Sequence, residues 1–156
     1  SRVLKEQSPK TKLVITEPDN AQLVNSLIAQ KRNQDGSPAS GHDSWNPHPI
    51  QGWTPDFIPL VLQESIDKNY FDVNIPVSGE DGIYWSHQLA RNEGIITGIS
   101  GGSTFAVAMK IAEKAEDGAN ILCMLADTAE RYLSSVLFEK IDSEMNDEEK
   151  EILSSI

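Results

Sequence analysis

The sequence predicts an α/β domain built on an open, largely parallel sheet flanked by helices. Short apolar, β-branched segments alternate with amphipathic segments of helical period, which is the order of a parallel sheet with crossover helices. Residues 121–126 form a continuous apolar run, which is typical of a central strand buried on both faces. Residues 95–97 are β-branched and are followed at once by a glycine-rich turn and a long amphipathic helix.

The first third of the chain contains one predicted strand between two helices. Apolar positions on one face predict a helix over residues 1–6, and the pattern of residues 12–17 predicts a buried strand. Asn20 can cap a second helix. Glycines and prolines forbid regular structure over most of residues 31–49, so we expect a long functional or mobile loop there. The apolar face of the second helix consists of Leu23, Val24, Leu27 and Ile28.

The middle of the chain contains a predicted strand, with one predicted helix before it and one after it. Thr54 and Pro55 predict an N-cap followed by proline at the first helical position. Residues 72–77 predict a short strand, and Ser78 is expected to cap the next helix, with Gly94 just past its end. The apolar face of the first of these helices consists of Phe57, Ile58, Val61, Leu62 and Ile66.

The most informative pattern follows Gly94. Residues 95–97 predict a buried strand, residues 98–103 a turn rich in glycine and serine, and residues from about 104 to 116 an amphipathic helix. A strand, a glycine turn and a helix N-terminus together form a place where the backbone can approach a ligand closely. We therefore expect a ligand site at this turn, with the hydroxyl of Ser100 free to meet the ligand.

A second group of residues is expected at the same edge of the sheet. The strand predicted over residues 121–126 ends at Asp127, and Thr128 follows directly. In open parallel sheets, ligands bind beyond the carboxyl ends of the strands. The pattern therefore predicts Asp127 and its neighbours close to the turn of residues 98–103.

Composition narrows the classes of partner. The formal net charge of this 156-residue chain is −11, from 13 basic and 24 acidic residues, which argues against nucleic acid or an anionic membrane surface. No apolar run approaches the ~20 residues of a membrane span, and the polar first residues do not resemble a secretory signal peptide. The single cysteine, Cys123, excludes an internal disulfide and fits a reducing compartment, so we expect a cytoplasmic protein.

Two kinds of site are not expected. His42, Asp43 and His48 lie in the long loop without the spacing that fixes metal geometry, so we predict no metal site. Cys123 lies inside the apolar run, so we expect a buried small side chain rather than a nucleophile.

Four stretches of the sequence carry a family resemblance. They are SRVLKEQSPKTKLVITEP at residues 1–18, IQGWTPDFIP at 50–59, EGIITGISGGS at 93–103 and LADTAERYLSSVLF at 125–138. Together and in this order they resemble the C-terminal half of the cysteine synthase (O-acetylserine sulfhydrylase) and cystathionine β-synthase family of fold-type II pyridoxal-phosphate enzymes. We therefore expect part of a catalytic domain over residues 1–138 and an acidic C-terminal helix or tail over residues 139–156.

The resemblance implies pyridoxal 5′-phosphate as the cofactor and Ser100 as the residue that hydrogen-bonds its pyridine nitrogen. A serine hydroxyl is neutral at pH 7, so it leaves the ring a weaker electron sink than a carboxylate partner would. A weaker sink suits loss of a β-substituent rather than transamination. The reaction implied is β-replacement, in which O-acetylserine or serine loses its leaving group and sulfide adds to give cysteine.

The same resemblance implies roles for five further residues. Gly98 shapes the cofactor pocket, and Asp127 and Thr128 lie near the edge of the ring. Gln51 and Gly52 belong to a loop on the substrate side of the cofactor that moves when the site closes.

The sequence departs from the family pattern at three places. Ala126 stands where the family carries proline, and the loop of residues 31–49 is longer than expected. Trp53 stands where small residues are usual, which leaves the identity of the thiol acceptor open.

The resemblance also implies that the Schiff-base lysine, the loop that binds the substrate carboxylate and the phosphate loop precede the matched region. Lys68 ends a predicted helix, and Lys110 and Lys114 lie on a polar helix face, so none is expected to replace that lysine. We therefore expect a chain that is inactive alone and that combines with the N-terminal half of the same enzyme. Homodimers are usual in the family, so we expect one here.

Three other functions stay open. Cystathionine β-synthase has the same chemistry with homocysteine as the acceptor. A homologue that has lost catalysis could act as a binding or regulatory partner. An amino-acid dehydratase shares the cofactor but fits the motifs IQGWTPDFIP and ERYLSS poorly.

Overall fold

The computed structural model describes residues 1–155. Its helices and strands alternate over residues 2–93, as an α/β fold requires, and the later elements are all helical. In chain order they are α1 (Arg2–Gln7), β1 (Val14–Pro18), α2 (Leu60–Asp67), β2 (Val73–Val77), α3 (Gly79–Glu93), α4 (Ile99–Ala112), a 3₁₀ helix (Ala129–Tyr132) and α5 (Asp147–Ser154).

The sheet is parallel and open, which confirms the predicted fold class. β1 and β2 pair in register, with Val14 opposite Val73 and Pro18 opposite Val77, and α2 lies on the connection between them. The carboxylate of Asp72 supports the start of the pair, because it accepts the N–H of Leu13 and the ammonium of Lys5, each at 2.7 Å. The Leu13 N–H, together with Lys5, holds the pKa of Asp72 below its ordinary value.

Two predicted strands are not formed within residues 1–155. Residues 95–97 contribute only an isolated antiparallel bridge, from Thr97 to Thr128, and residues 121–126 form neither a strand nor a bridge. Leu122 is 99% exposed, so this apolar segment is not the buried strand that its composition predicts. A strand forms only where another backbone accepts and donates its hydrogen bonds, and no described strand lies beside this segment.

The helix predicted after Asn20 is replaced by turns. The buried carboxylate of Glu17 accepts the backbone N–H groups of Val24 and Asn25, at 3.0 and 2.9 Å. A side chain therefore satisfies backbone donors that a helix would have used. Leu27 has a φ of +59° and is 91% exposed, so the predicted apolar face is incomplete.

The helix predicted from Thr54 and Pro55 begins later. α2 starts at Leu60 after Pro59, and Thr54 has a φ of +38°, which is not the extended conformation of an N-cap. The predicted apolar face is only partly correct, because Ile58 is buried and Val61 is 79% exposed.

The core lies between α3 and α4, and α4 begins earlier than predicted. Residues 98–103 form the N-cap and first turns of α4, which starts at Ile99 rather than near residue 104. Ile99 is fully buried, in one cluster with Ile50, Val77, Ala106, Val107, Ala129, Tyr132 and Leu137. Gly82 and Gly102 lie at the contact of the two helices, where a Cβ on Gly102 would overlap the carbonyl oxygen of Gly82.

The C-terminal region is exposed. α5 buries no residue, and its N-terminus has a capping box in which the side chains of Asn146 and Glu149 each accept a backbone N–H of the other residue. Cys123 is half-buried rather than fully buried, and this burial raises the pKa of its thiol. Among residues 1–155, the helices are too short or too polar to cross a bilayer.

Two N-cap residues allow a comparison of a buried helix with an exposed one. Ser78 Oγ accepts the N–H of Asp81 at 3.0 Å and caps α3, which packs in the core, whereas Asn146 caps α5. We expect Ser78→Ala to lower the free energy of unfolding by about 1 kcal/mol. Asn146→Ala is the control, with no change in global stability, because α5 can fray alone. Urea denaturation of the full-length protein measures both, and equal losses would contradict this account.

Candidate functional site

Gly98 and Ser100 lie at the N-terminus of α4. Gly98 is the N-cap, and its carbonyl oxygen accepts the N–H of Gly102 at 3.2 Å and the hydroxyl of Ser86 at 2.9 Å. The backbone N–H groups before Gly102 have no partner within the helix, so this end carries partial positive charge. Ser100 is the second residue of α4 and is 6% exposed, so its hydroxyl is confined in the first turn.

Asp127 lies next to this helix end. Its backbone carbonyl accepts the hydroxyl of Thr97 at 3.2 Å, and its Oδ2 accepts a short hydrogen bond from the phenol of Tyr132. Its Oδ1 is buried and has no hydrogen-bond partner within residues 1–155. The hydrogen bond to Asp127 raises the pKa of the Tyr132 phenol, and burial of the phenol adds to this.

The contact between these segments depends on the absence of a side chain at residue 98. A Cβ built on Gly98 would overlap the Tyr132 ring and lie 2.6 Å from Asp127 Oδ1. Thr128 is also brought here, because it forms the bridge to Thr97. The predicted residues Gly98, Asp127 and Thr128 therefore lie around the start of α4, although their neighbouring strands are absent.

The predicted substrate loop is anchored near this site without a hydrogen bond to Ser100. Gln51 and Gly52 are exposed, and Gly52 has a φ of +83°, a conformation that favours glycine. Ile50, just before them, is fully buried in the cluster that contains Ile99. Gly52 also opens onto a cavity of about 280 Å³ that includes Thr16, Glu17, Trp53 and Phe57.

His42, in the long loop, has a structural role. His42 is 6% exposed, its Nε2 lies 3.0 Å from the carbonyl oxygen of Ile28, and its Nδ1 accepts the N–H of Ser44 at 3.1 Å. Both ring nitrogens are therefore occupied by backbone groups. No cluster of three potential metal ligands is found in the part of the chain that the structure describes.

Tyr132 packs in the core and makes a contact with Asp127 that the sequence did not predict. It lies five residues after Asp127, a spacing that matches neither a helix face nor a strand face, so no periodic pattern indicates it. The 3₁₀ helix Ala129–Tyr132 turns the chain back and brings the phenol to the carboxylate. The only sequence signal was its place in the motif ERYLSS directly after the Asp127 region.

These residues fit the ring of the cofactor that the resemblance implies. The first turn of α4 offers a confined serine hydroxyl, and Asp127 offers a buried oxygen that still lacks a donor. The missing side chain at Gly98 lets Asp127 and Tyr132 lie directly against the start of α4, so these groups border the place where the ring would lie. Pyridoxal phosphate would thus be held by Ser100, with Gly98, Asp127 and Thr128 around it.

Similarity to known proteins identifies the family of this chain. Residues 1–127 match the family described as "Pyridoxal-phosphate dependent enzyme". O-ureido-L-serine synthase of Streptomyces lavendulae is 36% identical over 94% of this chain and 39% of its own length. Cysteine synthase B of Campylobacter jejuni is 38% identical over 87% of this chain and 38% of its own length. The chain thus spans about two fifths of the curated relatives it matches.

Solved structures give the same assignment. The crystal structure of cysteine synthase from Entamoeba histolytica superposes with a TM-score of 0.71 at 29% identity, over 99% of this chain and 39% of that one. That enzyme and the other structural relatives have the fold-type II architecture. The chain therefore belongs to the family of pyridoxal-phosphate dependent enzymes, with cysteine synthases among its relatives.

Proposed function

We propose that this chain supplies the cofactor-ring side of an enzyme that makes cysteine from O-acetylserine, or serine, and sulfide. The observation that carries the proposal is the grouping of Gly98, Ser100, Asp127 and Thr128 around the N-terminus of α4. The cofactor, when bound, supplies an electron sink for loss of the β-substituent. The Ser100 hydroxyl would hold the ring nitrogen without forcing a charge on it, and the loop of Gln51 and Gly52 would close over the substrate.

The proposal includes a partner for this chain. Leu122 and Met124 are 99% and 71% exposed in a segment whose composition is that of a central strand. The region that matches this chain covers 39% of O-ureido-L-serine synthase, so that relative is about two and a half times as long as the matched region. We propose that the N-terminal part of the same enzyme pairs with this segment and contributes the Schiff-base lysine, so that residues 1–156 alone have no activity. We also propose that the complete enzyme is a cytoplasmic homodimer.

Transfer of an oxygen nucleophile is a second candidate. O-ureido-L-serine synthase is 36% identical over 94% of this chain, and the product in its name requires a hydroxyurea-type nucleophile rather than sulfide. Trp53, beside Gly52, also differs from the small residues that the cysteine synthase pattern has at this point. These two observations favour testing an oxygen acceptor beside the thiol acceptors.

The test is a comparison of acceptors with the full-length protein. With pyridoxal phosphate and O-acetylserine present, we expect sulfide to give cysteine faster than homocysteine gives cystathionine or hydroxyurea gives O-ureidoserine. Mass spectrometry of the products measures all three, and residues 1–156 alone serve as the inactive control. If the reaction with homocysteine or hydroxyurea is faster, that compound and not sulfide is the acceptor. No product from any acceptor would contradict the proposed enzyme and favour a catalytically silent homologue.

A further inference from the structure

The hydrogen bond between Tyr132 and Asp127 fixes a carboxylate beside the start of α4. Tyr132 is 8% exposed and packs in the main core cluster, so its ring has little freedom to move. Its hydroxyl donates to Asp127 Oδ2, while the hydroxyl of Thr97 donates to the Asp127 backbone carbonyl at 3.2 Å. Hydrogen bonds therefore hold Asp127 through both its side chain and its backbone.

The second oxygen of this carboxylate still lacks a donor. Asp127 Oδ1 is buried and unpartnered among the described residues, and a Cβ on Gly98 would approach it to 2.6 Å. A buried carboxylate oxygen without a hydrogen bond costs free energy, so such atoms are nearly always paired in a complete site. This oxygen therefore lies beside Gly98, the N-cap of α4, where a ligand bound at the helix N-terminus would be its neighbour.

We propose that Tyr132 is a positioning residue, which orients Asp127 so that Oδ1 accepts a hydrogen bond from an N–H or O–H group of the ligand bound at the N-terminus of α4. The inference rests on the proposed function and adds a residue and a ligand chemistry to it. The donor belongs either to the cofactor or to the amino-acid substrate. A donor on the cofactor and a donor on the substrate would make the same hydrogen bond to Oδ1, and binding measurements distinguish between these two sources.

Substitutions in the full-length protein test the proposal. Tyr132→Phe keeps the packed ring and removes the donor, and Asp127→Asn keeps the shape and removes the charge. We expect each to weaken ligand binding about tenfold, because hydrogen bonds to charged groups are the stronger ones. The double variant should bind no more weakly than the weaker single variant, because both act through one contact. Tyr84→Phe is the control, since Tyr84 is 55% exposed on α3, away from this contact.

Titration of the cofactor-free protein gives a readout that does not depend on activity. The hydrogen bond to Asp127 raises the pKa of Tyr132, so one tyrosine should ionise later than the others in ultraviolet absorbance. Asp127→Asn should bring the pKa of this tyrosine down, and Tyr132→Phe should remove the late transition. Both singles should keep the far-ultraviolet circular dichroism of the unmodified protein.

The outcomes separate the two donors and the two proposals. A weaker Kd for pyridoxal phosphate assigns the donor to the cofactor, whereas an unchanged Kd with a raised KM for O-acetylserine assigns it to the substrate. If the variants change the tyrosine titration but neither Kd nor KM, the pair is only structural and this inference is wrong. If the unmodified protein neither binds the cofactor nor turns over substrate, the proposed function fails and this inference fails with it.

Discussion

Gly102→Ala is expected to lower the free energy of unfolding of the full-length protein by about 3 kcal/mol, the upper part of the range for overpacked cores. A Cβ at this position would overlap the carbonyl oxygen of Gly82 and lie 2.7 Å from the backbone nitrogen of Ser86. These are backbone atoms of α3, so the overlap is relieved only if α3 and α4 move apart. Helix propensity alone favours alanine over glycine by about 1 kcal/mol. A net loss of stability in this variant would therefore come from the steric overlap.

Gly41→Ala is the matched control for this prediction. Its Cβ would meet the exposed carboxylate of Asp56 at 3.2 Å, and this flexible side chain can turn away into solvent. We expect a change below about 0.5 kcal/mol, as for surface substitutions in general. Urea denaturation followed by circular dichroism measures both variants. Equal stabilities of Gly102→Ala and the unmodified protein would show that the described contact of α3 and α4 is wrong.

The sequence predicted the elements whose signals are local. Ser78 and Gly94 mark the two ends of α3 by their capping chemistry, and both do so in the structure, with Gly94 at a φ of +68°. The parallel pair of β1 and β2 was also found, because its two strands and their connection lie within the chain. These features need no information beyond the residues that form them.

The features that failed depend on distant partners. The segment of residues 121–126 has the composition of a central strand, but pairing requires a neighbouring backbone that residues 1–155 do not offer. The glycines before residue 104 indicated a turn because glycine is a poor helix former. In the structure these glycines allow close packing: Gly102 lets α4 lie against α3, and Gly98 lets Tyr132 and Asp127 lie against the start of α4. Tertiary packing overrides propensity there.

The candidate site was predicted through the family resemblance more than through residue patterns. Ser100, Gly98, Asp127 and Thr128 were assigned by matching motifs, and the structure places them together although their roles stay predictions. The contact of Tyr132 with Asp127 was not predicted, because it depends on a 3₁₀ turn that no hydrophobic period indicates. Chain reversals of this kind are set by three-dimensional context rather than by spacing.

Ser100→Ala is expected to slow cysteine formation by the full-length enzyme about tenfold to a hundredfold, which corresponds to loss of one strong hydrogen bond. Ser100 is 6% exposed in the first turn of α4, so a ligand nitrogen held by its hydroxyl would lose that partner in the alanine variant. Alanine is a good helix former and removes only one oxygen, so the fold should be kept. The rate loss would then report the contact with the cofactor ring and not a damaged helix.

Ser103→Ala distinguishes this contact from a general effect of serine on α4. Ser103 is fully buried, and its Oγ donates to the carbonyl oxygen of Ile99 at 2.8 Å on the side of the helix that faces Gly82. Its removal should therefore leave both the rate and the absorption spectrum of the bound cofactor unchanged. Ser100→Ala should change both, because the hydroxyl would touch the ring nitrogen. An unchanged rate and spectrum in Ser100→Ala would refute its assignment as the partner of that nitrogen.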